Sequence, residues 1–326
     1  MTPRLIRRLR ALACIAGIAL ALPAGAQTYP SRPINLLVPL QAGSAGDVVL
    51  RAVAQKMSEG LGQPIVVENQ AGVSGLLGAE RVSRAQPDGY LIGGISDSVL
   101  AYATQLTDKL AFDPLAGFEP IGMVAHVSWV LVAHPSLGAR TLQEFVAAAR
   151  SRPGRIDFAS AGVGSPHHIG MELLARAAGV SVTHIPYKGA TQALTDVAGG
   201  TVPVMMSATS VALPFIRDGR LVALAVPQES RSPLLPSVPT FTEAGMPGFD
   251  FATWVAMYAP RGTPRPVVDR LNAELVRAVG DPAVRDRLLP LGLQPAASTP
   301  AQLGETTRAS HARIGRLIRE AGIKPE

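Results

Sequence analysis

Short apolar, β-prone runs alternate with amphipathic stretches from residue 34 to residue 226, and few fold classes accept that order. The run 34–38 predicts a buried strand, and 47–59 predicts a helix with Val49, Val53 and Met57 along one face. A strand at 64–68, a turn at 69–75, a helix at 76–85 and a strand at 91–94 continue the pattern. Residues 95–120 read as irregular, and 121–132 contains long β-prone runs. A second half begins near residue 128. Thr141 caps a helix at 142–151, and 156–159 is a strand. Pro166 opens a helix at 166–178 with Ser165 as its cap. Strands at 182–186, 202–206 and 221–226 alternate with helices at 190–198 and 211–217. A Pro-, Ser- and Gly-rich loop spans 227–248, and 251–259 predicts a returning strand. Two capped helices, 263–279 and 298–320, end the chain.

The first 26 residues stand apart. Arg4, Arg7, Arg8 and Arg10 precede an apolar run too short to span a bilayer comfortably, and Ala24-Gly25-Ala26 is a small-x-small cleavage site. This predicts an exported chain starting near Gln27 in the periplasm. The only cysteine, Cys14, lies in that leader, so the mature chain has no thiol chemistry. The formal charge of +6 falls to +2 once four arginines leave, with 26 basic against 24 acidic residues. Nucleic acid is therefore not indicated as a partner. With 47% apolar and 17% charged residues, the rest supports a large core.

The chemistry concentrates in two small-residue turns. The first, Gln41 to Asp47, lies between a strand and a helix and carries no Lys or Arg. Gly43, Ser44 and Ala45 are expected to offer backbone amides to a carboxylate, and Asp47 to accept from a donor group of the ligand. Ser44-x-x-Asp47 also fits a helix-capping pattern, and the two readings coexist. The second turn, 160–165, leads into Ser165-Pro166-His167-His168. Its expected contacts are Ala161, Gly162, Ser165 and His167. If the turns face each other across a cleft, they grip one small anion.

Rival chemistries find less support. A Ser165–His167 hydrolase with Asp47 as the acid lacks the G-x-S-x-G elbow. The remaining histidines are scattered without metal-ligand spacing, and neither a Walker A nor a G-x-G-x-x-G motif occurs, so no metal or cofactor is expected. Lys188 is either a cation at the cleft or a solvated loop residue. Trp129, Tyr102 and Trp254 are either pocket walls or core.

In motif order the chain resembles the substrate-binding proteins of tripartite tricarboxylate transporters, the Bug or TctC family. The resemblance rests on Tyr29-Pro30-Ser31-Arg32-Pro33, Val38-Pro39 through Asp47, Gly62-Gln63-Pro64, Pro87-Asp88-Gly89-Tyr90, Phe112-Asp113-Pro114, Ala159 to Gly162, Pro186-Tyr187-Lys188-Gly189, Arg231-Ser232-Pro233 and Gly262-Thr263-Pro264. It implies an α/β, two-domain type II periplasmic binding fold with crossover strands between lobes. One domain would hold 27–127 with 250–326, the other 128–249. It further implies capture of a small carboxylate without catalysis, and delivery to membrane transporter components or to a sensor kinase, by a monomer. Ser44, Leu40 and Gln70 stand where the family commonly has Gly, Phe and Arg, and Pro203 and Ser207 where it often has Asp. The pocket floor therefore differs from the family pattern.

Overall fold

The computed structural model describes residues 29–107, 109–249 and 251–323. The leader expected over 1–26 lies outside them. The chain up to Ser31 forms a unit of its own, of which Tyr29 to Ser31 carry neither helix nor strand. Everything below concerns the second unit, from Arg32 onward.

Its strands are β1 (Ile34–Val38), β2 (Ile65–Asn69), β3 (Leu91–Ser96), β4 (Phe118–Val127), β5 (Trp129–Ala133), β6 (Asp157–Ser160), β7 (Thr183–Pro186), β8 (Val204–Ala208), β9 (Val222–Ala225), β10 (Thr253–Pro260) and β11 (Leu293–Pro295). They form a six-stranded sheet ordered β11-β4-β10-β3-β1-β2 and a five-stranded sheet ordered β7-β6-β8-β5-β9. The helices are α1 (Ala45–Leu61), α2 (Leu76–Ser83), α3 (Leu142–Ser151), α4 (Pro166–Ala178), α5 (Ala190–Ala198), α6 (Thr209–Arg217), α7 (Arg265–Gly280), α8 (Pro282–Leu288) and α9 (Pro300–Ala321). Among the described residues no helix is long and apolar enough to cross a membrane.

Local chemistry sets many of the boundaries. The Ser44 hydroxyl caps α1, and Gly62 ends it in the left-handed region. Thr141 with Glu144, and Thr299 with Gln302, form reciprocal capping boxes on α3 and α9. In β1 only Asn35 is exposed, as suits a parallel strand covered on both faces. Separate apolar clusters pack on the two sheets, one around Leu37, Ile95, Val99 and Tyr258, the other around Val132, Leu194, Met205 and Leu213.

The β-prone run at 121–132 divides at Ser128, with β4 in one sheet and β5 in the other. Ser128 is fixed on both sides. Its N–H donates to Gly292 O at 3.3 Å, and its carbonyl accepts from Thr209 N at 2.8 Å. A single residue thus carries the chain between sheets, which strand propensity cannot reveal because both flanks are apolar. Nearby, buried Trp129 Nε1 donates to Thr253 Oγ1 at 2.9 Å, joining the first residues of β5 and β10.

The segment expected to be irregular contains a π turn over Ser98–Tyr102 and a 3₁₀ turn over Ala103–Leu106, both almost wholly buried. Helix α8 and strand β11 go beyond the sequence reading, because seven and three residues are too few to display a period. Replacing Trp129 by Phe keeps the aromatic wall but leaves Thr253 Oγ1 without its indole donor. The expected loss is about 1 kcal/mol of unfolding free energy, read from chemical denaturation.

Candidate functional site

The two small-residue turns meet at one cavity of about 110 Å³. A single water needs roughly 10–15 Å³ by the same measure, so a small organic molecule fits. Ser44, Ala45 and Gly46 line it from one sheet, and Ala161, Ser165, Pro166 and His167 from the other. The N-termini of α1 and α4, each with its serine cap, therefore open on the same space. The first N–H groups of a helix have no acceptor within it and carry the positive end of the macrodipole. Ala45, Gly46 and His167 supply such amides. Pro166, lacking an N–H, takes the first helical position of α4 at no cost in hydrogen bonds.

The hydrogen bonds correct the expected division of labour. Gly43 N–H donates to Asp47 Oδ2 at 2.9 Å, and Ser44 N–H to Gln41 O at 3.2 Å. Both amides are committed within the turn, and the donors facing the cavity shift to Ala45 and Gly46. Asp47 also departs from its expected ligand contact. Its buried carboxylate accepts from Asn69 Nδ2 at 2.8 Å and from Arg51 Nε at 2.9 Å, besides Gly43. Asn69 Nδ2 reaches Leu40 O at 3.1 Å as well, tying β2 to the turn. Burial pushes the Asp47 carboxyl up, but Asn69, the Gly43 amide and Arg51 outweigh it and hold it below the usual carboxylate range.

In the second turn Gly162 N–H donates to Ser160 Oγ at 3.0 Å, and that oxygen is held to His184 Nε2 at 2.6 Å. Gly162 lines an adjoining groove of about 800 Å³ with Val163 and Tyr187, which shares Ala71, Gly72, Ser74, Ala161 and Lys188 with the first cavity. The Ser165 hydroxyl accepts from His168 N at 3.4 Å as the α4 cap, and no hydrogen bond joins it to His167. His167 packs edge-on to Trp129 with ring centres 5.0 Å apart. Burial lowers its pKa to about 3, so the ring is neutral and its Nδ1 has no partner among the described residues. Ser165 and His167 thus form no nucleophile–base pair with Asp47, which is occupied elsewhere.

Other walls sharpen the earlier alternatives. Trp129 and Lys188 line the cavity. Trp254 and Tyr102 are core, the former donating to Ser310 Oγ at 3.1 Å. Ser207 lies within β8, and its neighbour Ala208 reaches the cavity instead. The rim closes at two points. Gln41 packs so closely on Gly189 that a Cβ there would sit 2.0 Å from Gln41 Oε1. The Ser74 hydroxyl donates to Val163 O, linking the α2 approach to the second turn. Val73 and Ser74 both hold positive φ, 47° and 51°, a costly conformation for a β-branched valine.

Sequence reasoning missed Ser96, Asp97 and Ser98, which line the cavity at the end of β3. The signal was available: a polar triplet directly after an apolar parallel strand, at the carboxyl end where ligands collect in α/β sheets.

Comparison with known proteins agrees with this geometry. A family model described as tripartite tricarboxylate transporter family receptor matches residues 49–323. The chain is 37% identical over 313 residues to a UPF0065 protein from the tcbD-tcbE intergenic region of Pseudomonas sp. strain P51, covering 94% of this chain and 93% of that one. The structure of the periplasmic binding protein BugD superposes with a TM-score of 0.87 at 34% identity, over 91% of this chain and all of that one. An R. palustris protein solved with adipate gives 0.88 at 31% identity, also over 91% and 100%.

Asp47→Asn is expected to cost about 2 kcal/mol at pH 7, since Arg51 and the Gly43 amide lose a charged acceptor. Because the folded pKa is depressed, that contribution is present above the unfolded value and fades as pH falls through the folded one. Denaturation curves of wild type and variant should therefore converge below about pH 4.

Proposed function

The chain belongs to the tripartite tricarboxylate transporter family of receptors, and from that membership and the site geometry we propose how it captures its solute. Receptors of this family are periplasmic solute-binding proteins rather than enzymes, and they work with tripartite transporters. We infer that this chain holds a small carboxylate between the amino ends of α1 and α4. One observation carries the reading. Two helix N-termini with free amides, and turns without a Lys or Arg, line a single cavity. The helix ends offer neutral donors to an anion, and Lys188 in the same wall adds one cation.

The adipate bound by the R. palustris relative supports a carboxylate as the solute class. The contacts we assign are the Ala45, Gly46 and His167 amides, with the Ser44 and Ser165 hydroxyls and the Ala161 backbone at the edge. Gly43, Asp47 and Gly162 act one step behind, shaping the turns. We assign the six-stranded sheet to a domain of 27–127 with 250–326, and the five-stranded sheet to 128–249, meeting at Ser128 and ahead of β10. The leader is cleaved near Ala26, and the mature monomer hands its solute to the membrane components of the transporter.

Ala45→Pro tests the amide directly. Position 45 is the first of α1, where proline is tolerated, and Ser44 already has the extended backbone (ψ 160°) that precedes a proline. The variant should fold like wild type and bind its acid roughly tenfold more weakly, as expected for losing one donor to a charged group. Protein unfolded and refolded to remove any co-purified solute, screened by thermal shift against mono- and dicarboxylates and amino acids, should gain stability from one class. A hundredfold excess over Kd adds about 2.7 kcal/mol. A library that stabilises nothing would remove the carboxylate reading.

A further inference from the structure

We propose that the cavity selects an acid carrying a protonated amine, and that Asp97 is the residue that receives that amine. The inference rests on the carboxylate reading above, which it extends to the other end of the solute.

Asp97 ends β3's run into the π turn and lines the cavity, yet is only 2% exposed. Among the described residues it is the only carboxylate lining the cavity. Its Oδ1 is fully buried and has no hydrogen-bond partner among the described residues. Among the described residues no Lys or Arg forms an ion pair with it, and the charge of Arg313 acts on it through its field. Gln41 Oε1, in the same wall and packed against Gly189, is a second buried acceptor without a donor among the described residues. The hydroxyls of Ser96 and Ser98, on either side, are bonded to each other.

A buried acceptor without a donor costs free energy, and a buried carboxylate costs more, unless something supplies hydrogen atoms. The cavity therefore presents two complementary needs. Its helix ends offer donors and suit an anion, while Asp97 and Gln41 offer acceptors and suit a donor. An ammonium group supplies three N–H bonds and a positive charge in one small volume. A second carboxylate supplies neither an N–H donor nor a positive charge. Burial raises the Asp97 pKa well above the usual range, against the amides of Trp254 and Ser98 and the charge of Arg313. An arriving cation reverses that penalty, so the carboxyl is ionised when the amine is in place.

The test is isothermal titration of refolded protein with matched pairs differing only in the amine: L-aspartate against succinate, L-glutamate against glutarate, β-alanine against propionate, and 6-aminohexanoate against hexanoate. In at least one pair the amine-bearing member should bind tenfold or more tightly than its partner. Asp97→Asn, nearly isosteric, should remove that preference, so that the amine-bearing member binds no more tightly than its amine-free partner. If the amine-free member of every pair binds equally or better, or if Asp97→Asn keeps the preference, the proposal is overturned while carboxylate binding stands. If no member of any pair binds, both readings fall together. Should the variant not fold, the paired comparison in wild type still decides.

Discussion

The carboxylate of Asp47 governs the shape of the first turn, and the rest of the site follows from that shape. It gathers the Gly43 amide, Asn69 and Arg51 around one buried charge. The turn is thereby drawn against the end of β2, and the axis of α1 is aimed at the space between the sheets. Charge is used here as internal scaffolding. The amides this turn leaves at the start of α1 are neutral main-chain donors, which exert a directional pull without a counter-ion of their own.

The opposite wall obeys the same logic with other parts. Ser160 and His184 hold the second turn, Ser165 caps α4, and a desolvated, neutral His167 presents its backbone rather than a charge. Trp129 links this wall to the crossing at Thr253. The crossing at Ser128 is clamped through both its amide and its carbonyl.

Much of this was legible in the residues. Caps such as Ser44, Thr141 and Ser165 act within three positions of themselves, so their helices follow from local pattern. The two turns announced themselves through small residues between a strand and a helix. The allocation of individual amides was not legible, because Gly43 is claimed through a carboxylate that is itself positioned by Asn69, 22 residues further on. Asp97 was hidden for a related reason. Its burial comes from the packing of the turns that follow it, and a polar triplet in an irregular stretch looks like surface until those turns are seen.

The placement of Asp97 at the end of a central strand, apart from either turn, has an evolutionary corollary. In the site we propose, the grip on the acid is made largely of main chain, which every codon supplies alike, whereas the discriminating group is one replaceable side chain. A lineage of such receptors can change diet by single substitutions at the tip of β3 while inheriting its hold on acids intact.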